Sequence, residues 1–115
     1  MLGTGGTRKL TPIYSGRVVL RYDGSSVNGT ANNTETHSLY NGIGAAPANN
    51  AGVTGTQLGV AIGNTSASTF FTPRSQGGII AGLTVGTAYW FDLGDQISAG
   101  NAQYSAMQCR AKEVL

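Results

Sequence analysis

The sequence predicts an all-β protein, an antiparallel β-sandwich or jelly roll with Greek-key connections and an extended N-terminal arm. Apolar and polar residues alternate with a period of two in several segments, which is the spacing of a half-buried strand. These segments recur about every 8–15 residues between glycine-rich turns, with no helical period. Glycine makes up 18 of the 115 residues and charged residues only 10%, a composition that excludes a helical bundle or coiled coil.

The N-terminal segment, residues 1–15, is rich in glycine and threonine and shows no periodicity. We interpret it as an arm that is disordered or ordered by a partner, with a short strand near residues 12–14. Arg8, Lys9 and Tyr14 are the candidate contacts of this arm. The remaining chain, residues 16–115, has the length of one β-sandwich domain.

The first half of the body contains three predicted strands. The alternation is clearest where Val18, Leu20 and Tyr22 share one face. Asp-Gly-Ser-Ser at 23–26 predicts a turn. The predicted strands span residues 17–22, 36–43 and 57–62, with a small-residue loop over 44–54.

Four more strands are predicted in the second half. In the predicted strand at 87–93, Phe91 points inward, or Trp90 does in the opposite register. Residues 92–96 are predicted to form a bulge or turn. The last strand is the longest and places Met107, Cys109 and Ala111 on one face. The four strands span residues 68–72 (with Phe70 and Phe71), 77–83, 87–93 and 102–114. Because the apolar residues are few and small, the core is thin, and we expect an oligomer.

Leu83, Gly86 and Tyr89 have the spacing of a tyrosine corner, in which a tyrosine hydroxyl bonds back to the backbone across a sandwich arch. Val85 stands where the motif usually has proline. Plain strand alternation is the alternative interpretation of this segment.

No catalytic, cofactor or metal site is predicted. His37 is the only histidine, and we expect it at a surface or interface. Cys109 is the only cysteine, and we expect a small buried apolar side chain. One Cys and one His cannot supply a zinc site. Asp92 and Asp95 flank a glycine and are expected to be solvated in a turn.

The charge pattern bears on partners and compartment. The net charge is +2 without a basic cluster, which argues against nucleic-acid binding. No apolar run approaches the roughly 20 residues of a membrane span or has signal-peptide form, so we expect synthesis in a cytoplasm and no membrane partner.

Residues 38–59 (SLYNGIGAAPANNAGVTGTQLG) and 80–93 (IAGLTVGTAYWFDL), with the ends 15–20 and 111–115, resemble small β-sandwich virion proteins of tailed bacteriophages. The likeness covers about 100 residues in order, and Asn50 departs from a frequent glycine. It implies a module on a phage particle, often a homotrimer.

Among virion roles, a chain with one module, a short arm and no shaft fits a capsid decoration or cement protein best. Such a protein would bind the major capsid protein, or another virion protein, on the outer face of the head and stabilise it. The alternative is a head-fibre, tail-fibre or tail-tip module that binds a host surface glycan. The loops at 23–35 and 44–55 lack the aromatic residues that would favour it. A fibronectin-type-III-like adhesion module, suggested by the tyrosine corner alone, is the third reading.

Overall fold

The computed structural model describes residues 1–3, 9–30, 32–65 and 71–115, without the side chains of Asn64 and Thr65. Seven strands form two antiparallel sheets, and no helix occurs in these residues. The strands are β1 (Lys9–Leu10), β2 (Arg17–Asn28), β3 (Thr34–Ile43), β4 (Thr56–Thr65), β5 (Thr72–Ile80), β6 (Tyr89–Ile97) and β7 (Ala102–Val114). One sheet has the order β1-β6-β3-β4 and the other β5-β2-β7. The prediction of an all-β antiparallel sandwich is confirmed, whereas the jelly-roll and Greek-key details stay predictions.

The core lies between the two sheets and follows the alternation in the sequence. The inward face of β2 carries Val18, Leu20 and Tyr22, all buried. The Tyr22 hydroxyl donates to the carbonyl of Phe91 at 3.0 Å, so this hydrogen bond joins the two sheets. The other buried members of the cluster are Leu39, Ile80, Phe91 and Leu93. Met107, Cys109 and Ala111 of β7 pack against it from one face, as predicted, but all three, including Cys109, are only partly buried.

The first part of β6 is buried on both faces, and of the two predicted registers the one with Phe91 inward is correct, whereas the one with Trp90 inward is wrong. Phe91 faces the other sheet, and Trp90 is buried on the opposite face. Gly42 and Gly55 lie so close to the Trp90 ring that a Cβ at either position would come within 2.7 Å of it. The Trp90 indole donates to the carbonyl of Ile43 at 3.3 Å. The end of β3 and the loop after it therefore cover Trp90.

The turn predicted at 23–26 and the bulge or turn predicted at 92–96 are both wrong. Residues 23–26 lie within β2, where a register shift between Asp23 and Ser25 marks a β-bulge. Residues 92–96 lie within β6. Position 94 requires glycine because a Cβ would come within 2.5 Å of the Tyr40 ring, and the chain does not turn at this point.

Other boundaries also shift. The strand expected at 77–83 covers Thr72–Ile80. Most of the strand expected at 68–72 lies outside the described residues, and Phe71 is exposed and not in a strand. The N-terminal strand pairs Lys9 and Leu10 with Trp90 and Tyr89, instead of lying at 12–14.

The expectation of an arm that needs a partner for order is wrong for the described part of residues 1–15. The main-chain amide of Leu2 donates to the carbonyl of Leu93 at 2.9 Å. The amide of Gly3 donates to the Asp92 carboxylate at 2.9 Å. Met1 and Pro12 are buried. This segment is therefore part of the sandwich and covers the outer face of β6.

The part of the chain that the structure describes holds no helix with the length and hydropathy needed to cross a membrane.

Candidate functional site

The turn between β1 and β2 is fastened by a single carboxylate. Glu113 of β7 accepts hydrogen bonds from four consecutive main-chain amides, at 2.8–3.0 Å. They belong to Ile13, Tyr14, Ser15 and Gly16. These bonds hold the pKa of Glu113 down to about 2, with the Ile13 amide the largest cause. Pro12 anchors the start of the turn in the core.

The same turn exposes two large apolar side chains. Ile13 is 61% and Tyr14 is 73% exposed, although their backbone is fixed. A rigid backbone that presents an exposed aromatic ring loses little entropy on binding, which favours a contact site for another protein. We call Ile13 and Tyr14 the tip. Of the three arm residues predicted, Tyr14 lies in the tip, Lys9 is exposed in β1, and Arg8 lies outside the described residues.

The tyrosine-corner residues lie together beside this turn. The Tyr89 hydroxyl accepts a hydrogen bond from the amide of Thr84 at 3.0 Å, the contact that the motif requires. Gly86 has a φ of +83° and its amide donates to the carbonyl of Pro12 at 2.8 Å. Leu83 packs against the core, and its amide donates to the carbonyl of Gly16 at 3.0 Å. The corner therefore positions both ends of the turn that carries the tip.

A second group of polar side chains is buried between the sheets. His37 is 4% exposed, so the expectation of a surface histidine is wrong. Its Nε2 lies 3.5 Å from Glu35 Oε2 and its Nδ1 lies 3.5 Å from Asp95 Oδ1. The ring of Tyr104 meets the imidazole edge-on, with centroids 5.9 Å apart. We call Glu35, His37, Asp95 and Tyr104 the buried polar cluster.

The far side of the buried polar cluster is bound to the other sheet. Glu35 Oε2 accepts from the Ser26 hydroxyl at 2.9 Å and lies 3.4 Å from Arg74 Nη2. Arg74 also donates to the Ser26 hydroxyl, at 3.0 Å. The cluster therefore joins β3 and β6 to β2, β5 and β7.

Burial governs the titration of this cluster. It lowers the pKa of His37 and raises the pKa of Asp95, because an interior disfavours each charged form. It also raises the pKa of Tyr104. Glu35 and His37 are buried between the sheets, whereas Asp95 and Tyr104 are partly buried and also line a surface groove. Cys109, a free thiol, is partly buried on β7.

Asp92 and Asp95 are not neighbours in a turn. Asp92 is buried on the outer face of β6 under Gly3, whereas Asp95 faces His37. Within the described ranges, no group of three His, Cys, Asp or Glu side chains could hold a metal ion.

Neither Glu113 nor the buried polar cluster was predicted from the sequence. The alternation of residues 34–43 was the available signal for the cluster, since it places Glu35 and His37 on the face of Leu39. No local signal identifies Glu113, because its four partners lie almost 100 residues away along the chain.

Comparison of the chain with protein-family models, with curated proteins and with solved structures finds no match.

Proposed function

We propose that this chain is a non-enzymatic structural protein of a tailed-phage virion, a decoration or cement protein that binds the outer face of the head. In this role it would bind the major capsid protein, or another virion protein, as a homotrimer and would be localised at the capsid surface. The proposal rests on the sequence resemblance and is supported by the surface chemistry of the fold. An exterior with few charged groups and many hydroxyl and amide groups suits hydrogen-bonded, hydrated protein interfaces.

The observation that carries the proposal is the rigid tip. Ile13 and Tyr14 are exposed, while Glu113, Pro12 and the tyrosine corner fix the backbone beneath them. Partly apolar side chains on a fixed backbone are typical of the residues that dominate binding energy at protein interfaces. The proposed capsid contact is therefore the tip, instead of the arm expected from the sequence.

The first experiment measures the copy number of the chain in purified particles of its phage, by quantitative mass spectrometry against the major capsid protein. A copy number on the scale of the capsid subunits is the expected result. A handful of copies would point to a fibre or tail component, and absence from particles would refute a virion role.

The second experiment tests the tip. The double variant I13A/Y14A should bind particles stripped of this protein at least about tenfold more weakly than the unmodified protein in co-sedimentation, because it loses the exposed anchors. The control variant V53A removes another exposed apolar side chain from a different loop and should bind normally. Equal binding by all three proteins would refute the tip as the contact.

A specific observation keeps the glycan-binding alternative open. A groove of about 660 Å³ is lined by Asn49, Asn50 and Asn101 together with Asp95 and Tyr104. This volume is within the range of small-molecule sites, and amide groups suit sugar hydroxyls. Binding on a glycan array that is lost in N49A/N50A, together with a low copy number, would favour this alternative.

A further inference from the structure

The outer face of the β5-β2-β7 sheet gathers four of the seven Lys and Arg residues of the chain. Along β2, Arg17, Val19 and Arg21 are exposed and alternate with buried residues, so they point away from the core. The pairing of β2 with β7 places Lys112 opposite Val19 and Arg110 opposite Arg21, and both are exposed as well. We call Arg17, Arg21, Arg110 and Lys112 the basic face.

The basic face arises from the strand register and is not visible in the sequence. Most of the length of the chain separates Arg21 from Arg110, yet the two lie directly opposite each other. Neighbouring strands are about 5 Å apart, and alternate residues of one strand are about 7 Å apart. Like charges at directly opposite positions of two strands destabilise a sheet. Negative charge that another molecule brings to this face would therefore be stabilising.

The fold supplies this face with one carboxylate, that of Asp23. Arg21 Nε donates to both oxygens of Asp23, at 2.9 and 2.7 Å. This contact is the largest cause of the lowered pKa of Asp23, and the charge of Arg110 lowers it further. Among the residues that the structure describes, no acid forms an ion pair with Arg17, Arg110 or Lys112. The chain itself therefore leaves most of the positive charge of the basic face unbalanced.

A second copy of this chain offers no countercharge for the basic face. The chain has five acidic residues, and all of them are described. Glu35 and Asp92 are fully buried, and the side chain of Asp95 is only 10% exposed. Glu113 is bound by four amides of the turn, and Asp23 already lies beside Arg21. The countercharge must come from a different molecule.

Apolar side chains among the cations favour a protein over a nucleic acid as that molecule. Val19 is 39% and Ile79 is 65% exposed, and they lie opposite each other on the same face. A protein can cover both with apolar side chains, whereas a sugar-phosphate backbone gains little from them. The outward residues of β2, β5 and β7, strands that the structure describes throughout, include no aromatic side chain on which a base could stack.

We propose that the basic face binds an acidic protein surface, which presents carboxylates to the cations and apolar side chains to Val19 and Ile79. Arginine suits such a partner, because its guanidinium group can donate to both oxygens of a carboxylate. The carboxylates would also relieve the repulsion between Arg21 and Arg110. This inference goes beyond the virion role and does not depend on it, and its test uses no particles.

The test uses the purified full chain and a fluorescently labelled peptide of alternating glutamate and alanine. In an extended peptide of this sequence the carboxylates are about 7 Å apart, which matches the spacing of Arg110 and Lys112. Fluorescence anisotropy should detect binding at about 25 mM NaCl and a loss of at least about fivefold in affinity at about 300 mM, because salt screens exposed charges. A control peptide with glutamine in place of glutamate should not bind. Absence of binding to the glutamate peptide at low salt would overturn the proposal.

The decisive variant is R110Q/K112Q, which removes two cations from the basic face. The control K9E changes the net charge by the same amount at an exposed position on β1, in the other sheet. The double variant should bind the glutamate peptide at least about threefold more weakly, and K9E should bind it nearly as well as the unmodified protein does. Thermal melting checks that both variants fold. Equal losses in the two variants would indicate a response to net charge alone and would overturn the basic face as the site.

Other polyanions test the class of partner. Single-stranded oligodeoxythymidylate and phosphatidylglycerol vesicles are compared with the glutamate peptide at the same salt concentration. Weaker binding of both is the result expected for a face that recognises protein carboxylates. Tighter binding of either one would overturn an acidic protein as the partner.

Discussion

At the scale of single residues, Glu113 shows how one carboxylate organises an exposed turn. Its oxygens satisfy four amides of a turn that would otherwise need water, and the turn then holds the tip in one orientation. The arrangement depends on ionisation, since a protonated carboxyl accepts these hydrogen bonds less well. The stability of the turn is therefore coupled to pH.

The variant E113Q tests this coupling. The folded pKa of Glu113 is about 2, below the unfolded value of about 4.3, so its contribution is complete above pH ~4.3 and is lost as the pH falls towards 2. E113Q should melt at a lower temperature than the unmodified protein at pH 7, and the difference should shrink between about pH 5 and 2. K112Q, at a neighbouring exposed position, is the control. A Tm difference that is constant with pH would contradict this account.

At the scale of elements, the buried polar cluster ties strands of both sheets through groups with opposing titrations. Burial lowers the pKa of His37, so the folded state loses stability as the pH falls below about 6.5 and the unfolded chain takes up the proton first. The pKa of Asp95 is raised, so its effect is the reverse, with stability lost as the pH rises through its folded pKa. Glu35, Arg74 and Tyr104 complete the surroundings of the imidazole.

In the variant D95N, the pH dependence of stability that His37 causes should therefore become more visible. Without the opposing carboxyl, and with one fewer negative charge beside the imidazole, the free energy of unfolding should fall more steeply between pH 7 and 5 than in the unmodified protein. Urea unfolding at three pH values measures this slope. The double variant H37Q/D95N should be nearly flat over the same range. An identical slope in D95N and the unmodified protein would refute the coupling.

The elements also show what the sequence could and could not predict. Strand β7 was predicted at its observed bounds, although its alternation shifts at Ala106, which has a φ of +52°, whereas β2 was cut short at Asp23. The glycine that follows, Gly24, lies at the register shift against β7, and a Cβ at this position would come within 2.2 Å of the Met107 sulphur. Local patterns carry no information about such cross-strand contacts. The tyrosine corner could be predicted from the sequence because its contact spans only five residues. The Glu113 contacts could not, because they join distant parts of the chain.

At the scale of the whole molecule, the described part of the N-terminal segment, residues 1–3 and 9–15, is packed against the sandwich. It buries Met1 and Pro12, pairs with β6 through Lys9 and Leu10, and covers Asp92. A body that lacks it exposes a buried carboxylate and a strand edge.

Deletion of residues 1–14 should therefore lower the free energy of unfolding by several kcal/mol, because it removes buried apolar area and the amides of Ile13 and Tyr14, two of the four that Glu113 binds. This outcome differs from the one expected of a loose arm, whose removal would leave the body intact. Chemical denaturation and amide chemical-shift dispersion compare the two chains. A truncated protein with unchanged stability would contradict the packing described for this segment.

The pairing of β2 with β7 also has a consequence for biosynthesis. Arg17 lies opposite Val114, and the turn before β2 is fastened by Glu113, so this part of the sandwich is completed only by residues that lie 97 positions later in the chain. A ribosome-bound chain exposes β2 with one edge open until β7 emerges from the exit tunnel. The fold is therefore completed only after translation of β7, and the dominance of such distant pairings favours slow folding.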